Sequence, residues 1–206
     1  MPLNREQVLH GAMQLLDDVG LEALTLRTLA ARLGVRAPTL YWHVKNKAEL
    51  LDALADAIMD EAIATTPTPS AEEDSRLWLL AALSQFRTAL LRHRDGARVV
   101  SGARYSMRRG DFTERAVATL VDHDVDLHQA RLLVLAGERY TVGWVLEEQA
   151  PVPDTPETPD IEVEALKARF PMTTRAITEY FTVGRTADDL YEDIARLVLH
   201  LPPKNR

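Results

Sequence analysis

Four helical segments follow one another closely at the start of the chain, and this succession limits the possible folds more than any other feature. Residues 4–19 carry one apolar stripe at helical spacing, with Asn4 and Gln7 as a capping pair and Gly20 as a terminator. Thr25 is a suitable N-cap for a second helix, whose apolar residues recur every three or four positions until a glycine stops it. Two amphipathic helices joined by a short turn must bury their apolar faces together.

The next two helices differ sharply in length. The third is predicted over residues 37–43, where Pro38 suits the first turn because its missing N–H costs nothing there. The fourth is predicted over residues 46–64, with Asn46 and Glu49 forming a capping box. A helix, a glycine-containing turn and a short helix make up the helix-turn-helix arrangement, whose second helix enters the major groove of DNA.

The third helix has more apolar surface than it can bury. Leu40 can point inward, but the residues around it cannot all follow when each is turned by about 100° from the last. Some of them must therefore face outward, and an exposed aromatic patch is costly unless it meets a partner. The residues concerned are Thr39, Tyr41, Trp42 and His43. On the residues alone, an ordinary corner of the core stays an alternative to a DNA-binding surface.

The distribution of charge points to the same region. The chain carries 24 Lys and Arg against 31 Asp and Glu, a net charge of −7, which argues against DNA binding over its whole surface. Residues 1–47, however, carry six bases against four acids, and residues 23–47 contain no acid. An acid-free window of this length inside an acidic chain is typical of a local nucleic-acid footprint.

Composition and motifs argue against several other classes. The chain has no cysteine, which excludes disulfides, thiol catalysis and cysteine-bound zinc and fits a cytoplasmic protein. We find no signal-peptide pattern and no uninterrupted apolar stretch long enough to span a bilayer. The histidine- and acid-rich residues 122–128 match no rigid metal-ligand spacing, so we expect a solvated turn, no metal and no cofactor. No nucleophile or phosphate-loop motif indicates an enzyme.

The rest of the chain also shows helical periodicity without a strand pattern, so we predict an all-α fold. A linker is expected over residues 65–75, and the proline-rich acidic segment 149–164 is expected to be a mobile loop. Further helices are expected at about 77–93, 95–101, 111–123, 127–149, 163–182 and 187–201. Two of them, 127–149 and 187–201, carry apolar stripes that would complete the core or join a second chain, and periodicity alone does not decide between these.

Residues 24–55, with the sequence LTLRTLAARLGVRAPTLYWHVKNKAELLDALA, resemble the DNA-binding head of the TetR family of transcriptional regulators. Residues 86–99, 101–105 and 140–149 resemble the ligand-binding body of its tetracycline-responsive members. The resemblance implies a helix-turn-helix DNA-binding domain over residues 1–47 and a ligand-binding and dimerisation domain over 48–206. It also implies a homodimeric repressor that binds a palindromic double-stranded operator and is released by a small-molecule inducer.

The resemblance further implies roles for single residues of the head. Arg27 matches an arginine that reads guanine in the major groove, while Tyr41 and Lys47 match phosphate contacts. Ala37 stands where tetracycline-responsive members carry a glutamine that reads adenine, so we expect a different operator. The complete set of expected DNA contacts is Thr25, Arg27, Arg36, Ala37, Pro38, Thr39, Tyr41, Trp42, His43 and Lys47.

The expected ligand pocket departs from that of the tetracycline-responsive members. Five positions that are polar in those proteins are apolar here, and Val100, in place of a histidine that ligates magnesium, offers no lone pair. Each ligand group left unpaired would cost about 1–3 kcal/mol, so we expect an inducer other than magnesium-tetracycline, flatter or more apolar. The residues implied by resemblance are Ile63, Ala82, Phe86, Val100, Ala103, Arg104, Tyr105, Ala116, Arg139 and Glu147.

Two functions from different classes follow from the sequence. The first is a ligand-responsive DNA-binding repressor, in which the stripes of 127–149 and 187–201 form a four-helix dimer interface, as the resemblance implies. The second is a small-molecule carrier or enzyme whose N-terminal helices only pack. Loss of DNA affinity on replacing Arg27 distinguishes the first from the second.

Overall fold

The structure is a computed structural model that describes residues 3–151 and 163–204. Within these ranges it contains eleven helices and no strand, which confirms the all-α prediction. Most of the segment expected to be a mobile loop, residues 152–162, lies outside the described residues.

The first four helices form the head and its connection to the body. They are α1 (Arg5–Ala23), α2 (Leu26–Arg32), α3 (Ala37–Leu40) and α4 (Lys47–Thr65). The body contains α5 (Ser75–Arg92), α6 (Gly96–Gly102), α7 (Met107–Asp122), α8 (Leu127–Glu148), α9 (Val163–Arg169), α10 (Pro171–Thr182) and α11 (Ala187–Val198).

The N-terminal caps of α1 and α4 are close to those read from the sequence. The Gln7 amide N–H donates to the Asn4 side chain at 2.8 Å, and the Asn4 N–H donates to the Gln7 side chain at 3.0 Å. At α4, the Glu49 N–H donates to the Asn46 side chain at 2.9 Å. The Glu49 carboxylate, however, accepts from the N–H of Lys45 at 2.9 Å, one residue before the cap, so the predicted reciprocal box is only half formed.

The third helix is shorter than predicted. It ends at Leu40, and Tyr41–His43 form a turn instead of a further helical turn. The N–H groups of His43 and Val44 both donate to the Leu40 carbonyl, at 2.8 and 2.9 Å. This turn brings Val44, which is fully buried, into the same core cluster as Leu40.

The single helix predicted over residues 163–182 is two helices, α9 and α10. The break falls at Phe170, whose backbone angles of φ −128° and ψ 57° are not helical. Pro171 explains it, because a proline disfavours the helical conformation of the residue before it.

The core continues from the head into the body through α4, which packs against α5, α6 and α7 as well as against α1. Leu54 and Ile58 of α4 are fully buried, as are Leu16 in the head and Leu83 in the body. Because one helix belongs to both cores, a change in the body that displaces α4 also displaces the head.

The corner between α5 and α6 is held tightly. A Cβ on Gly96 would lie 2.3 Å from the Leu90 carbonyl oxygen, so no side chain fits at this position. The Gln149 amide donates to the carbonyls of Leu90 at 3.0 Å and His93 at 2.8 Å, and its oxygen accepts from the Ala97 N–H at 3.2 Å. One side chain thus joins the ends of α5 and α8 to the start of α6.

Candidate DNA-binding surface and ligand pocket

The turn after α3 presents aromatic side chains to solvent above a buried anchor. Leu40 is fully buried, whereas Trp42 is 89% exposed and Tyr41 is 53% exposed. An exposed tryptophan of this degree is unusual for a residue that only packs. The geometry therefore favours an interaction surface over a core corner.

The start of α2 adds polar and cationic groups to this surface. The Thr25 hydroxyl accepts from the Thr28 N–H at 3.0 Å, which fixes the first turn of α2. Arg27 and Arg36 are exposed, and neither forms an ion pair with any described residue. Arg32, by contrast, pairs with Asp18 at 2.6 Å within the head.

All ten expected DNA contacts lie at or near the surface. Eight are exposed, and Ala37 and His43 are half-buried. Lys47 is exposed, but its Nζ donates to the Leu21 carbonyl at 3.2 Å, so its ammonium group is directed towards the end of α1 in this structure.

The ten expected pocket residues are not brought together in one chain. Ala82, Phe86, Val100 and Ala116 are fully buried in the body core. Ile63 and Ala103 are half-buried beside them. The remaining four are exposed: Arg104, Tyr105, Arg139 and Glu147.

The buried part of this set is apolar and includes aromatic contacts. The ring of Phe86 on α5 lies 5.5 Å from that of Phe112 on α7, a separation typical of paired aromatic rings. Val100 and Ala116 present only methyl groups. This interior offers van der Waals contact and few hydrogen bonds.

The loop between α6 and α7 is bound to α4 by acidic side chains whose role was not predicted from the sequence. The Asp52 carboxylate accepts the N–H groups of Arg104 at 2.7 Å and Tyr105 at 3.2 Å. The Asp56 carboxylate accepts the Ser106 hydroxyl at 2.8 Å. Asp52 and Asp56 are four residues apart, which places them on one face of α4. This spacing is the feature of the sequence from which the contact could have been predicted.

A second set of contacts joins α1 to the α5–α6 corner. The buried His93 imidazole lies within hydrogen-bond distance of Asp17 on α1, at 3.2 Å, and of Glu61 on α4, at 3.0 Å. Asp95 accepts the Leu21 N–H at 2.8 Å. Burial would raise the pKa of Asp95, but the hydrogen bond from Leu21 and the charges of nearby arginines outweigh it and lower that pKa.

An open cleft lies beside these contacts, away from the expected pocket. Its volume is about 800 Å³, and it is bounded by the end of α1, the start of α6 and the end of α8. None of the ten expected pocket residues lines it.

Over residues 3–151 and 163–204, no helix is long and apolar enough to cross a membrane. The same part of the chain holds no group of three or more side chains arranged as metal ligands.

A helix-turn-helix head joined to an all-helical body is the architecture of a DNA-binding regulator. The chain belongs to the TetR family. The family model described as bacterial regulatory proteins, tetR family, matches residues 8–54. The model described as tetracyclin repressor-like, C-terminal domain, matches residues 68–199.

Individual relatives agree with this assignment. The chain is 40% identical over 169 residues to the tetracycline repressor protein class C of Escherichia coli, covering 82% of this chain and 77% of that protein. The structure is similar to that of TetR class A in complex with 5a,6-anhydrotetracycline and magnesium, with a TM-score of 0.69, 30% identity and 96% of each chain covered.

A DNA-bound structure is also similar. BioQ with its double-stranded DNA operator matches with a TM-score of 0.61 and 28% identity, over 85% of this chain and 96% of that one. Family membership confirms that the chain is a DNA-binding transcriptional regulator with a ligand-binding domain, and not an enzyme. The carrier or enzyme alternative therefore has no support.

Proposed function

We propose that the chain is a homodimeric, cytoplasmic repressor that binds a palindromic operator and is released by a small-molecule inducer other than magnesium-tetracycline. Residues 1–47 read the DNA, and residues 48–206 bind the inducer and the second chain. The observation that carries the DNA-binding part is the exposed pair Tyr41 and Trp42 above buried Leu40.

The head reads DNA through α2 and the α3 turn. Arg27, exposed and unpaired in the described structure, donates to guanine, since an arginine fork on guanine is the commonest specific contact. Ala37 contributes a methyl contact. Tyr41 and Lys47 bind phosphate, and Lys47 does so by exchanging its hydrogen bond with the Leu21 carbonyl for one with DNA. The full contact set is the ten residues expected from the sequence.

The second chain packs on surfaces that one chain leaves uncovered. On α8, Leu132 is 52% exposed and Leu146 is 36% exposed. Between them, no atom of the described residues would lie within 4 Å of a Cβ placed on Gly143. The second stripe predicted for the dimer interface lies on α11, where Leu197 is 71% exposed although Tyr191 and Ala195 are buried within the chain. Among the described residues, α10 buries none of its own side chains, although Ile177 and other large apolar residues lie on it. Such a helix requires a partner surface, and a two-fold dimer matches a palindromic operator.

The inducer binds in the apolar interior formed by Ala82, Phe86, Val100 and Ala116, with Ile63 and Ala103 extending it. The four exposed residues Arg104, Tyr105, Arg139 and Glu147 form its rim. Magnesium-tetracycline is not the inducer, because these apolar groups would leave its hydroxyls unpaired at about 1–3 kcal/mol each. Micromolar or tighter, magnesium-dependent tetracycline binding in calorimetry would contradict this.

Release follows when the ligand displaces residues 95–105, which tilts α4 and changes the separation of the two heads. The bonds from Asp52 and Asp56 to the α6–α7 loop support this path. The ligand must bind the released state more tightly, since equal affinity would shift nothing. Spin labels at exposed Ala48, changed to cysteine in a chain with no other cysteine, report the head separation. An unchanged distance with a true inducer rejects the mechanism.

The first experiment is selection of bound DNA from a random library, with and without a panel of small molecules. We expect an enriched palindrome with half-sites about 34–36 Å apart, as for a dimeric helix-turn-helix protein. Compounds that abolish the enrichment identify the inducer class. No enrichment at low salt, where phosphate contacts are strongest, overturns the proposal.

A further inference from the structure

The body contains a buried charge that neither the DNA-binding surface nor the apolar pocket uses. Glu138 of α8 is 2% exposed, and its neighbours one turn away on the helix, Val134 and Val142, are buried as well. A carboxylate in such surroundings is costly unless it is well paired and hydrogen-bonded. Its partners therefore indicate what the position is suited to bind.

Those partners are unequal. The Thr113 hydroxyl donates to the Glu138 Oε1 at 2.6 Å. Arg109 reaches Oε2 only at 3.4 Å from Nε and 3.5 Å from Nη2, whereas a bond between a cationic N–H and a carboxylate is normally about 2.7–2.9 Å. The Arg109 side chain is 30% exposed. Among the described residues, Oε2 thus has one cationic partner, loosely bound and accessible to solvent.

The carboxylate lies beside the proposed pocket. Arg109, Thr113 and Ala116 share one face of α7, because they are four and then three residues apart, and Ala116 belongs to the apolar interior. On the adjacent turn, Phe112 contacts Phe86. Glu138 therefore stands at the boundary of the proposed pocket, whose four buried residues Ala82, Phe86, Val100 and Ala116 are uncharged.

We propose that Glu138 is a specificity-determining residue and that the inducer is a cation with a flat apolar or aromatic body. Its ammonium or amidinium group binds Oε2 in place of Arg109, while Thr113 keeps its bond to Oε1 and the ring system occupies the interior near Phe86. An anion would meet the carboxylate directly, and a neutral molecule would leave the carboxylate with its loose partner. This inference rests on the proposed function, because it assigns the ligand class of the same pocket.

Three acridines of one ring size test the inference: cationic 9-aminoacridine, neutral acridine and anionic acridine-9-carboxylate. Each is titrated by calorimetry into the full chain at neutral pH, without DNA. We expect saturable binding of 9-aminoacridine at least about tenfold tighter than acridine, since a charge-assisted hydrogen bond is worth a factor of that order. The anion should bind weakest. Glu138→Gln should abolish the preference for the cation.

Two further variants separate recognition from general charge and from structure. Glu114→Gln makes the same charge change at an exposed position of α7 and should keep the preference. Arg109→Gln should tighten 9-aminoacridine binding several-fold, because a competitor for Oε2 is removed. This gain should vanish when Arg109→Gln and Glu138→Gln are combined. A purely structural pair would give weaker binding of every probe in both single variants.

The outcomes distinguish this inference from the proposed function. Failure of the wild-type chain to bind 9-aminoacridine saturably, or an equal preference in Glu138→Gln, overturns the cationic ligand class. Operator affinity is measured in parallel for every variant. Retained operator binding with no cation preference leaves the repressor proposal standing and rejects only this one, whereas a wild-type chain that binds no operator rejects the repressor.

Discussion

The head and the body place their functional residues in opposite ways. In the head, the proposed contacts come mainly from one short run of sequence and lie on the surface, where Trp42 is 89% exposed. In the body, the centre of the proposed pocket is formed by residues from α5, α6 and α7 and is fully buried, as Phe86 and Val100 show. The head can thus contact DNA through side chains that are already exposed, whereas the body must open to let a ligand reach its buried pocket.

This difference predicts that the two regions will respond differently to sequence change. An exposed residue of the head can be replaced with little effect on packing, so operator specificity changes independently of folding. A buried residue of the body serves packing and ligand binding together, and loss of a large buried side chain costs about 2–5 kcal/mol. Single-site and double variants test this division between functional residues on the surface of the head and functional residues in the interior of the body.

The largest effect is expected at an exposed surface of the body, the face of α8 that we propose to contact the second chain. Gly143→Arg places a long cation on this face and should prevent dimerisation. A single chain on one half-site should then lose about 10²–10⁴-fold in operator affinity. Light scattering should show monomers, and anisotropy titration should show the affinity loss. Gly110→Arg is the matched control, since Gly110 on α7 is likewise exposed and a Cβ there would have no atom of the structurally described chain within 4 Å. A Gly143→Arg variant that remains dimeric and keeps normal operator affinity would place the dimer interface elsewhere.

Arg27→Ala tests whether an exposed residue of the head determines operator affinity and specificity without affecting folding. We expect a loss of about 1–3 kcal/mol in operator binding and relaxed discrimination at one base pair, with unchanged stability because Arg27 is exposed. The measurement is binding to a set of operators with single-base changes. Arg5→Ala is the control, because it removes the same charge from the head. Arg5 lines a groove that it shares with α4 and α7, so this variant should keep both its affinity for the operator and its base specificity. Equal losses in the two variants would argue for a general charge effect.

The connection between the two regions is tested by Asp52→Ala combined with Asp56→Ala. This removes the bonds from α4 to the α6–α7 loop, so the free energy of unfolding should fall by about 1–2 kcal/mol. In the wild type, operator binding should slow amide hydrogen exchange in residues 103–108, and in the double variant that protection should be lost. Asp60→Ala, which removes only an exposed ion pair with Arg108, serves as control. Equal protection in all three chains would show that the regions communicate elsewhere.

The smallest effect concerns a part of the body that belongs to neither surface. Hydrogen bonds to the carbonyls of Ser70 at 3.0 Å and Thr119 at 2.7 Å favour the doubly protonated ring and raise the pKa of His123 above its ordinary 6.5. The resulting stabilisation is complete below the unfolded-state pKa and is lost as pH rises through the raised folded-state pKa. His123→Gln should therefore flatten the fall in melting temperature between about pH 6 and pH 8. Parallel pH profiles of both chains would contradict this.

The sequence predicts the head well because its signals are local. The Asn4 and Asn46 caps, the buried position of Leu40 and the exposed aromatics all follow from spacing within one helix turn. The break at Phe170 was also available locally, from Pro171, although periodicity across it favoured one helix. Two details of the head were not predicted: α3 ends at Leu40, and the Glu49 carboxylate accepts from the N–H of Lys45 instead of that of Asn46.

The pocket is predicted less well because it depends on which helices meet. Arg139 and Glu147 were assigned by resemblance, yet they lie on the exposed face of α8. Glu138, one residue from Arg139, reads in the sequence as a charge that interrupts an apolar run, and the structure buries it against Thr113. A difference of one residue rotates a side chain by about 100° on a helix, and only the packing of α7 on α8 shows which side is inside.

The Gln149 contacts have a mechanical consequence for α6. This helix has seven residues and is about 10 Å long at 1.5 Å per residue. Its first turn is anchored by Gln149 through the Ala97 N–H, whereas its far end leads into the loop bound by Asp52. A rotation of about 10° around the anchored end would carry the far end through roughly 2 Å, so a ligand that alters the pocket only slightly can still displace α4 measurably.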